Sequence, residues 1–125
     1  MPTDALTSFR NVMLETEQIG FDTVMAQQQA LGAGIRGVLE ARGIKSVAAP
    51  GFQAPGVVVS YTDDAGIHSG AKFKSVGIQI AKGVPLKVDE PADFQTFRLG
   101  LFGLDKLQNV ERTVATFEAA LDQIL

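Results

Sequence analysis

Positions that suit one face of a helix recur through the first third of the chain. Thr3 or Asp4 can cap the first stripe of such positions. Gly20 interrupts the pattern, Asp22 restarts it, and Gly43 suits a helix C-terminus. The stripe positions are Leu6, Phe9, Val12 and Met13, followed by Phe21, Val24, Met25, Gln28, Leu31, Ile35, Val38 and Leu39. This pattern predicts two helices, or one helix that bends near Gly20.

Short runs typical of β-strands fill the middle of the chain. Val57–Tyr61 is rich in β-branched residues and gives the clearest strand. Ile44–Val47 is a weaker candidate, Ile78–Ala81 alternates like a strand, and Phe97–Phe102 gives the last one. Between these strands, a short helix is predicted near His68–Val76.

A second long helical stripe covers the C-terminal end, with apolar positions at Leu107, Val110, Val114, Phe117, Leu121 and Ile124. Asp105 and Gln108 have the spacing of a capping box before it. The order of elements predicts an α+β fold in which a small, mostly antiparallel sheet has helices packed on one face. Residues 1–43 form a helical connector and residues 44–125 an α+β domain, together one compact unit.

Composition restricts the classes of function. The chain has 125 residues, a net charge of −3, no cysteine and one histidine, His68. Its cations are scattered, so we expect no nucleic-acid partner. It lacks thiolate ligands and is poorly supplied for a histidine zinc site or a Ser-His-Asp triad, so no metal site is assigned. Without a signal-peptide pattern or a membrane-length apolar run, we expect a cytoplasmic protein with no membrane partner.

Three further features have structural interpretations. Gly32–Gly37 matches the dinucleotide pattern G-x-G-x-x-G, but it lies inside a helical stripe with no strand before it. These glycines therefore predict close packing against another helix or a missing domain. His68 is predicted to be a surface residue, and Asp63 with Asp64 to form a turn and helix cap.

Arg98 is the strongest candidate for a functional residue. It is the only charged residue in the apolar run Phe97–Gly103. A charge in an apolar strand is costly unless it has a partner. One interpretation is an internal ion pair with Asp63, Asp89 or Glu90; the other is a cation available to bind an anion.

The run Phe97–Gly103, together with Asp105–Leu125, resembles the C-terminal end of class V pyridoxal-phosphate aminotransferases of the alanine–glyoxylate and serine–pyruvate type. Weaker similarity covers Pro2–Leu6, Gly56–Ser60 and Gly77–Gly83. The whole chain looks like the small domain of that family and the helix that leads into it. No stretch looks like the large domain that carries the cofactor lysine.

The resemblance implies that Arg98 binds the α-carboxylate of a small amino acid or keto acid. The reaction would move an amino group from a small amino acid to pyruvate or glyoxylate. Pyridoxal phosphate and the catalytic lysine would belong to the missing large domain. None of the lysines here matches that position, so no catalytic or cofactor-binding residue is assigned; they are Lys45, Lys72, Lys74, Lys82, Lys87 and Lys106.

Two expectations concern partners. Absence of a large domain would leave the apolar stripe that contains Phe9, Met13, Phe21 and Met25 uncovered, and we expect a homo-oligomer. The alternative function is a stand-alone, non-catalytic α+β module that self-associates or binds a small carboxylate.

Overall fold

The structure is a computed structural model that describes residues 2–125, and it contains three strands and six helices. In chain order these are α1 (Thr3–Ile19), α2 (Phe21–Ala41), β1 (Val57–Tyr61), α3 (Ala65–His68), α4 (Ala71–Ser75), β2 (Ala81–Lys82), β3 (Thr96–Gly100), α5 (Leu104–Leu107) and α6 (Val110–Ile124). The predicted α+β fold class is confirmed. The division of the chain near residue 43 stays a prediction.

The sheet is antiparallel, with β3 in the centre although it comes last in the sequence. Arg98 of β3 lies opposite Val59 of β1 on one side and opposite Ala81 of β2 on the other. The predicted strand Ile44–Val47 is wrong in extent, because this segment contributes a single bridge to β1. Two backbone hydrogen bonds nevertheless hold it along the outer edge of β1.

The core lies between one face of the sheet and the helices. Val58, Phe97 and Leu99 point to that face and are buried. The Phe73 ring of α4 stacks on Phe117 of α6 at 5.8 Å between ring centroids. Burying each such side chain contributes roughly 1.5–3 kcal/mol, so this layer dominates the stability of the domain.

Two glycines let α2 approach its neighbours closely. A Cβ at Gly34 would lie 2.8 Å from a methyl carbon of Val114 in α6, and a Cβ at Gly32 would lie 2.8 Å from the carbonyl oxygen of Pro55. The prediction of close packing against another helix is therefore confirmed for Gly34; Gly32 packs against the segment before β1 instead, and Gly37 has no atom within 4 Å of a Cβ placed on it. The segment is the interior of a helix, so it lacks the strand and helix N-terminus that dinucleotide binding requires.

The predicted helix caps are partly wrong. α1 already begins at Thr3, so neither Thr3 nor Asp4 caps it. Asp105 and Gln108 form no capping box, because α5 occupies Leu104–Leu107 and α6 begins after Asn109. The Asp105 carboxylate instead pairs with Arg112, at 2.7 Å.

The short elements in the middle are also shifted. The single helix predicted near His68–Val76 is two helices, because Gly70 adopts a left-handed conformation with φ of 86°. The strand predicted at Ile78–Ala81 pairs only over Ala81–Lys82. The last strand lies at Thr96–Gly100, slightly earlier than predicted.

α1 buries none of its residues. Phe9 is 65% exposed and Met13 is 54% exposed, and Phe21 and Met25 at the start of α2 are similarly uncovered. The predicted exposure of this stripe is confirmed. The apolar face of α1, formed by Leu6, Phe9, Val12 and Met13, therefore has no cover within residues 2–125.

We expect the isolated chain to self-associate through this apolar face, because contiguous exposed apolar surface favours association. Sedimentation equilibrium should show a mass that rises with concentration. The double variant Phe9→Glu with Met13→Glu should remain monomeric. The control, Thr7→Glu with Gln18→Glu, adds the same charge at exposed positions away from the stripe and should associate like the parent chain. A strict monomer at millimolar concentration of the parent chain contradicts the prediction.

Candidate functional site

The face of the sheet that turns away from the helices carries Arg98 at its centre. Side chains alternate along β3, so Phe97 and Leu99 enter the core while Arg98 projects from the opposite face. Arg98 is partly exposed there, beside Val59 of β1 and Ala81 of β2. The fold therefore presents one cation in the middle of a sheet face that solvent can reach.

The Arg98 guanidinium makes one hydrogen bond: its Nε donates to the carbonyl oxygen of Lys82, at 3.0 Å. No carboxylate among residues 2–125 lies within 4.0 Å of its nitrogen atoms. The ion pairs in this range use Arg42, Lys72 and Arg112 as their cations. Both Nη groups therefore remain available for an anion. The alternative interpretation, an internal ion pair, is wrong for the part of the chain that is described.

The three carboxylates that the sequence offers as partners for Arg98 do not pair with it. The Glu90 carboxylate accepts hydrogen bonds from three consecutive backbone N–H groups of residues 86–88, at 2.7–2.8 Å. These bonds, chiefly the one from Lys87, lower the pKa of Glu90 to about 2. Asp63 and Asp89 are exposed to solvent. None of the three neutralises Arg98.

Aromatic side chains lie towards both ends of this open face. At one end, the Tyr61 ring meets Phe94 edge to face, with 5.7 Å between ring centroids. At the other end lies Phe102, whose Cε1 atom would be 2.7 Å from a Cβ at Gly56. The ring of Phe102 thus uses the space that a side chain at Gly56 would fill.

His68 differs from its predicted role as a surface residue. It is partly buried, and its Nδ1 lies 2.7 Å from the carbonyl oxygen of Thr96. Because a carbonyl only accepts, Nδ1 carries the proton. Asp64 behaves as predicted: it caps α3 by accepting from the backbone N–H of Gly66 and Ile67. An ion pair with Lys72, supported by these bonds, lowers the pKa of Asp64.

The lysines do not fit a pyridoxal-phosphate site. All six side chains are exposed, whereas a lysine that forms a Schiff base is usually activated by desolvation or a neighbouring cation. Lys72 is engaged by Asp64, and Lys106 donates to the carbonyl oxygen of Phe102 at 2.9 Å. The six lysines therefore lack the desolvation that commonly activates a Schiff-base lysine.

Arg36 is a buried cation that the sequence analysis did not single out. It is 8% exposed and lies in α2. Its guanidinium donates to Ser46 Oγ at 2.9 Å and to the carbonyl oxygens of Ala54 and Val57 at 3.0 and 3.3 Å. Burial lowers its pKa. The available signal was a lone arginine directly beside Ile35 within the helical stripe.

A cavity of about 250 Å³ lies between β3 and α6, with Ile35, Leu99 and Phe117 among its apolar lining. Lys106 and Arg112 also line it, but Arg98 does not. Residues 2–125 contain no cluster of three or more histidine and carboxylate side chains placed to bind a metal ion. None of the helices in this range has both the length and the hydrophobicity to cross a membrane.

No protein-family model and no curated protein matches this sequence. Several solved structures share its fold, and two of them are aminotransferases. An aspartate aminotransferase of subgroup IV from Thermus thermophilus is 26% identical with a TM-score of 0.58, over 78% of this chain and 27% of that enzyme. Ureidoglycine–glyoxylate aminotransferase from Bacillus subtilis is 21% identical with a TM-score of 0.65, over 92% of this chain and 30% of that enzyme.

This chain thus spans less than a third of the length of either enzyme. Both neighbours are aminotransferases, which agrees with the resemblance inferred from the residues around Arg98. The chain therefore has the fold of a domain that these two aminotransferases contain.

Proposed function

We propose that this chain is the small, C-terminal domain of a class V pyridoxal-phosphate-dependent aminotransferase, in which Arg98 binds the α-carboxylate of the substrate. One observation carries the proposal. Arg98 lies at the centre of an uncovered sheet face, is held by a backbone carbonyl, and lacks a carboxylate partner among residues 2–125. Its two Nη groups are therefore free to bind a carboxylate through two parallel hydrogen bonds.

The chemistry of the substrate agrees with this role. Small amino acids, pyruvate and glyoxylate share a carboxylate, and a guanidinium can bind that group through two parallel hydrogen bonds. The reaction we propose transfers an amino group from a small amino acid to pyruvate or glyoxylate. Both structural neighbours are named for carboxylic acids, aspartate and glyoxylate, which supports this substrate class.

A large domain is the partner this role requires. In this proposal another domain binds pyridoxal phosphate, while this one orients the substrate; the exposure of all six lysines supports that division of roles. The uncovered face of α1 and the open sheet face both suit contact with such a domain. The small share of each neighbour's length that the chain covers supports the same proposal.

Pyruvate binding to the isolated chain tests the role of Arg98. A charge-assisted bidentate pair contributes roughly 1.5–3 kcal/mol, which corresponds to a Kd of about 10–100 mM. In a chain with ¹⁵N-labelled arginine, pyruvate should shift the Arg98 side-chain NMR signals with this affinity. Neutral pyruvamide should not, and Arg98→Ala should abolish binding while Arg112→Ala keeps it. Equal pyruvate affinity in Arg98→Ala contradicts the proposal.

The alternative function, a stand-alone module, draws on the same uncovered α1, which a second copy of the chain could cover. The mass of the native polypeptide in its source cells separates the two functions. A polypeptide much longer than this chain, with a pyridoxal-phosphate domain attached, supports the aminotransferase. A native protein of 13.3 kDa supports the module.

A further inference from the structure

We infer that Gly83 is a positioning residue for Arg98: the absence of a side chain at Gly83 places the carbonyl oxygen of Lys82 where it orients the Arg98 guanidinium. This inference rests on the proposed function of Arg98. It assigns a role to a residue that does not itself touch the substrate.

A hydrogen bond to a backbone carbonyl holds the Arg98 side chain. Its Nε donates to the carbonyl oxygen of Lys82 at 3.0 Å. Arginine can pair with a carboxylate through Nε and one Nη, or through both Nη groups. Because Nε is already engaged, only the outer pair of Nη groups can form two parallel bonds. The carboxylate must therefore approach Arg98 end-on.

Gly83 makes a close contact with the neighbouring backbone. This glycine is buried against the backbone of Thr96 in β3. A Cβ at Gly83 would lie 2.0 Å from the carbonyl oxygen of Thr96 and 2.5 Å from its Oγ1. No side chain fits there, so any other residue at this position must displace a stretch of backbone.

How firmly each strand is held determines which backbone moves. Thr96 is 2% exposed, and its carbonyl oxygen is also held by a hydrogen bond from Nδ1 of His68 at 2.7 Å. β3 is also the central strand, with pairing on both sides. By contrast, β2 has two exposed residues at the edge of the sheet. A Cβ at Gly83 therefore moves β2, and the carbonyl oxygen of Lys82 moves with it.

Gly83→Ala should accordingly release the Arg98 side chain without removing its charge. A freed arginine must be ordered again when the carboxylate binds, which costs affinity. We expect pyruvate affinity to fall about three- to tenfold, whereas Arg98→Ala should abolish it. The matched control is Gly37→Ala, because a Cβ at Gly37 meets no atom within 4 Å.

The test measures two quantities in each variant: the hydrogen-exchange protection of the Arg98 Nε–H and the affinity for pyruvate, both by NMR. The parent chain and Gly37→Ala should show a protected Nε–H. Gly83→Ala should lose that protection together with affinity. A defect that merely loosened the fold would not single out this one N–H, so core amide signals serve as the reference.

A second variant covers the case in which Gly83→Ala does not fold. Glycolic acid in place of Gly83, introduced by semisynthesis, turns the Lys82 carbonyl into a weaker ester acceptor and adds no Cβ. It should also reduce Nε–H protection and affinity. If both quantities match the parent chain in this variant, or in a folded Gly83→Ala, the inference is overturned. If Arg98→Ala itself binds pyruvate normally, the proposed function fails instead.

Discussion

Arg36→Met should lower the free energy of unfolding by about 2–4 kcal/mol. Methionine keeps most of the apolar volume but removes the hydrogen bonds to Ser46, Ala54 and Val57. Ser46 and Ala54 lie on the segment that leads into β1, and Val57 is the first residue of that strand, so losing the bonds detaches this segment from α2. Partly buried acceptors would then lack a donor, which costs more than the loss of an exposed bond.

Urea denaturation measures this effect. The slope of the unfolding free energy against urea concentration should be the same in all variants, because a changed slope would indicate a changed denatured state. Arg10→Met is the matched control, because it removes the same side chain from an exposed position on α1. It should leave the midpoint nearly unchanged. If the two variants lose equal stability, the buried hydrogen bonds of Arg36 do not hold the segment.

Arg98→Ala should raise KM for the amino acid about ten- to hundredfold in the complete aminotransferase, while the melting temperature of this chain stays nearly the same. The kinetic loss reflects a missing bidentate carboxylate pair. Stability changes little because the side chain gives up one hydrogen bond, to the carbonyl oxygen of Lys82 in the edge strand β2. Arg98→Lys keeps the charge but not the planar fork, so it should recover only part of the loss.

Two measurements check this prediction: steady-state kinetics of the complete enzyme and thermal melts of the isolated chain. Arg112→Ala is the control for loss of one positive charge, since Arg112 pairs with Asp105 on the surface. A large drop in melting temperature for Arg98→Ala would assign that residue to the fold instead. An unchanged KM would remove it from the substrate site.

The long elements could be predicted because their signal is local. α2 and α6 repeat apolar residues over several turns, and β1 is a run of β-branched residues. Short elements depend on contacts that periodicity does not encode. β2 is limited to Ala81–Lys82, and its place depends on how closely Gly83 approaches Thr96. The expected capping box failed because α5 forms a separate turn before Asn109.

Residues of the site were predictable from the sequence only where a side chain differs clearly from its neighbours. Arg98 stands out as a charge in an apolar run, but the Lys82 carbonyl that holds it is a backbone atom with no sequence signature. Arg36 was missed for the same reason, since two of its three acceptors are backbone carbonyl oxygens, one of Ala54 in an irregular segment and one of Val57 at the start of β1. Predicting such partners requires the path of the backbone in three dimensions.

The bare surface of α1 has a consequence for the order in which the chain acquires structure. A single helix of 17 residues that buries nothing has little more than its own hydrogen bonds to hold it, and such helices are marginal in water. α1 therefore contributes little to the cooperative unit formed by the sheet, α2 and α6, and we expect it to be the first helix to melt and the last to form. Its helical content should accordingly rise when a partner covers its apolar face.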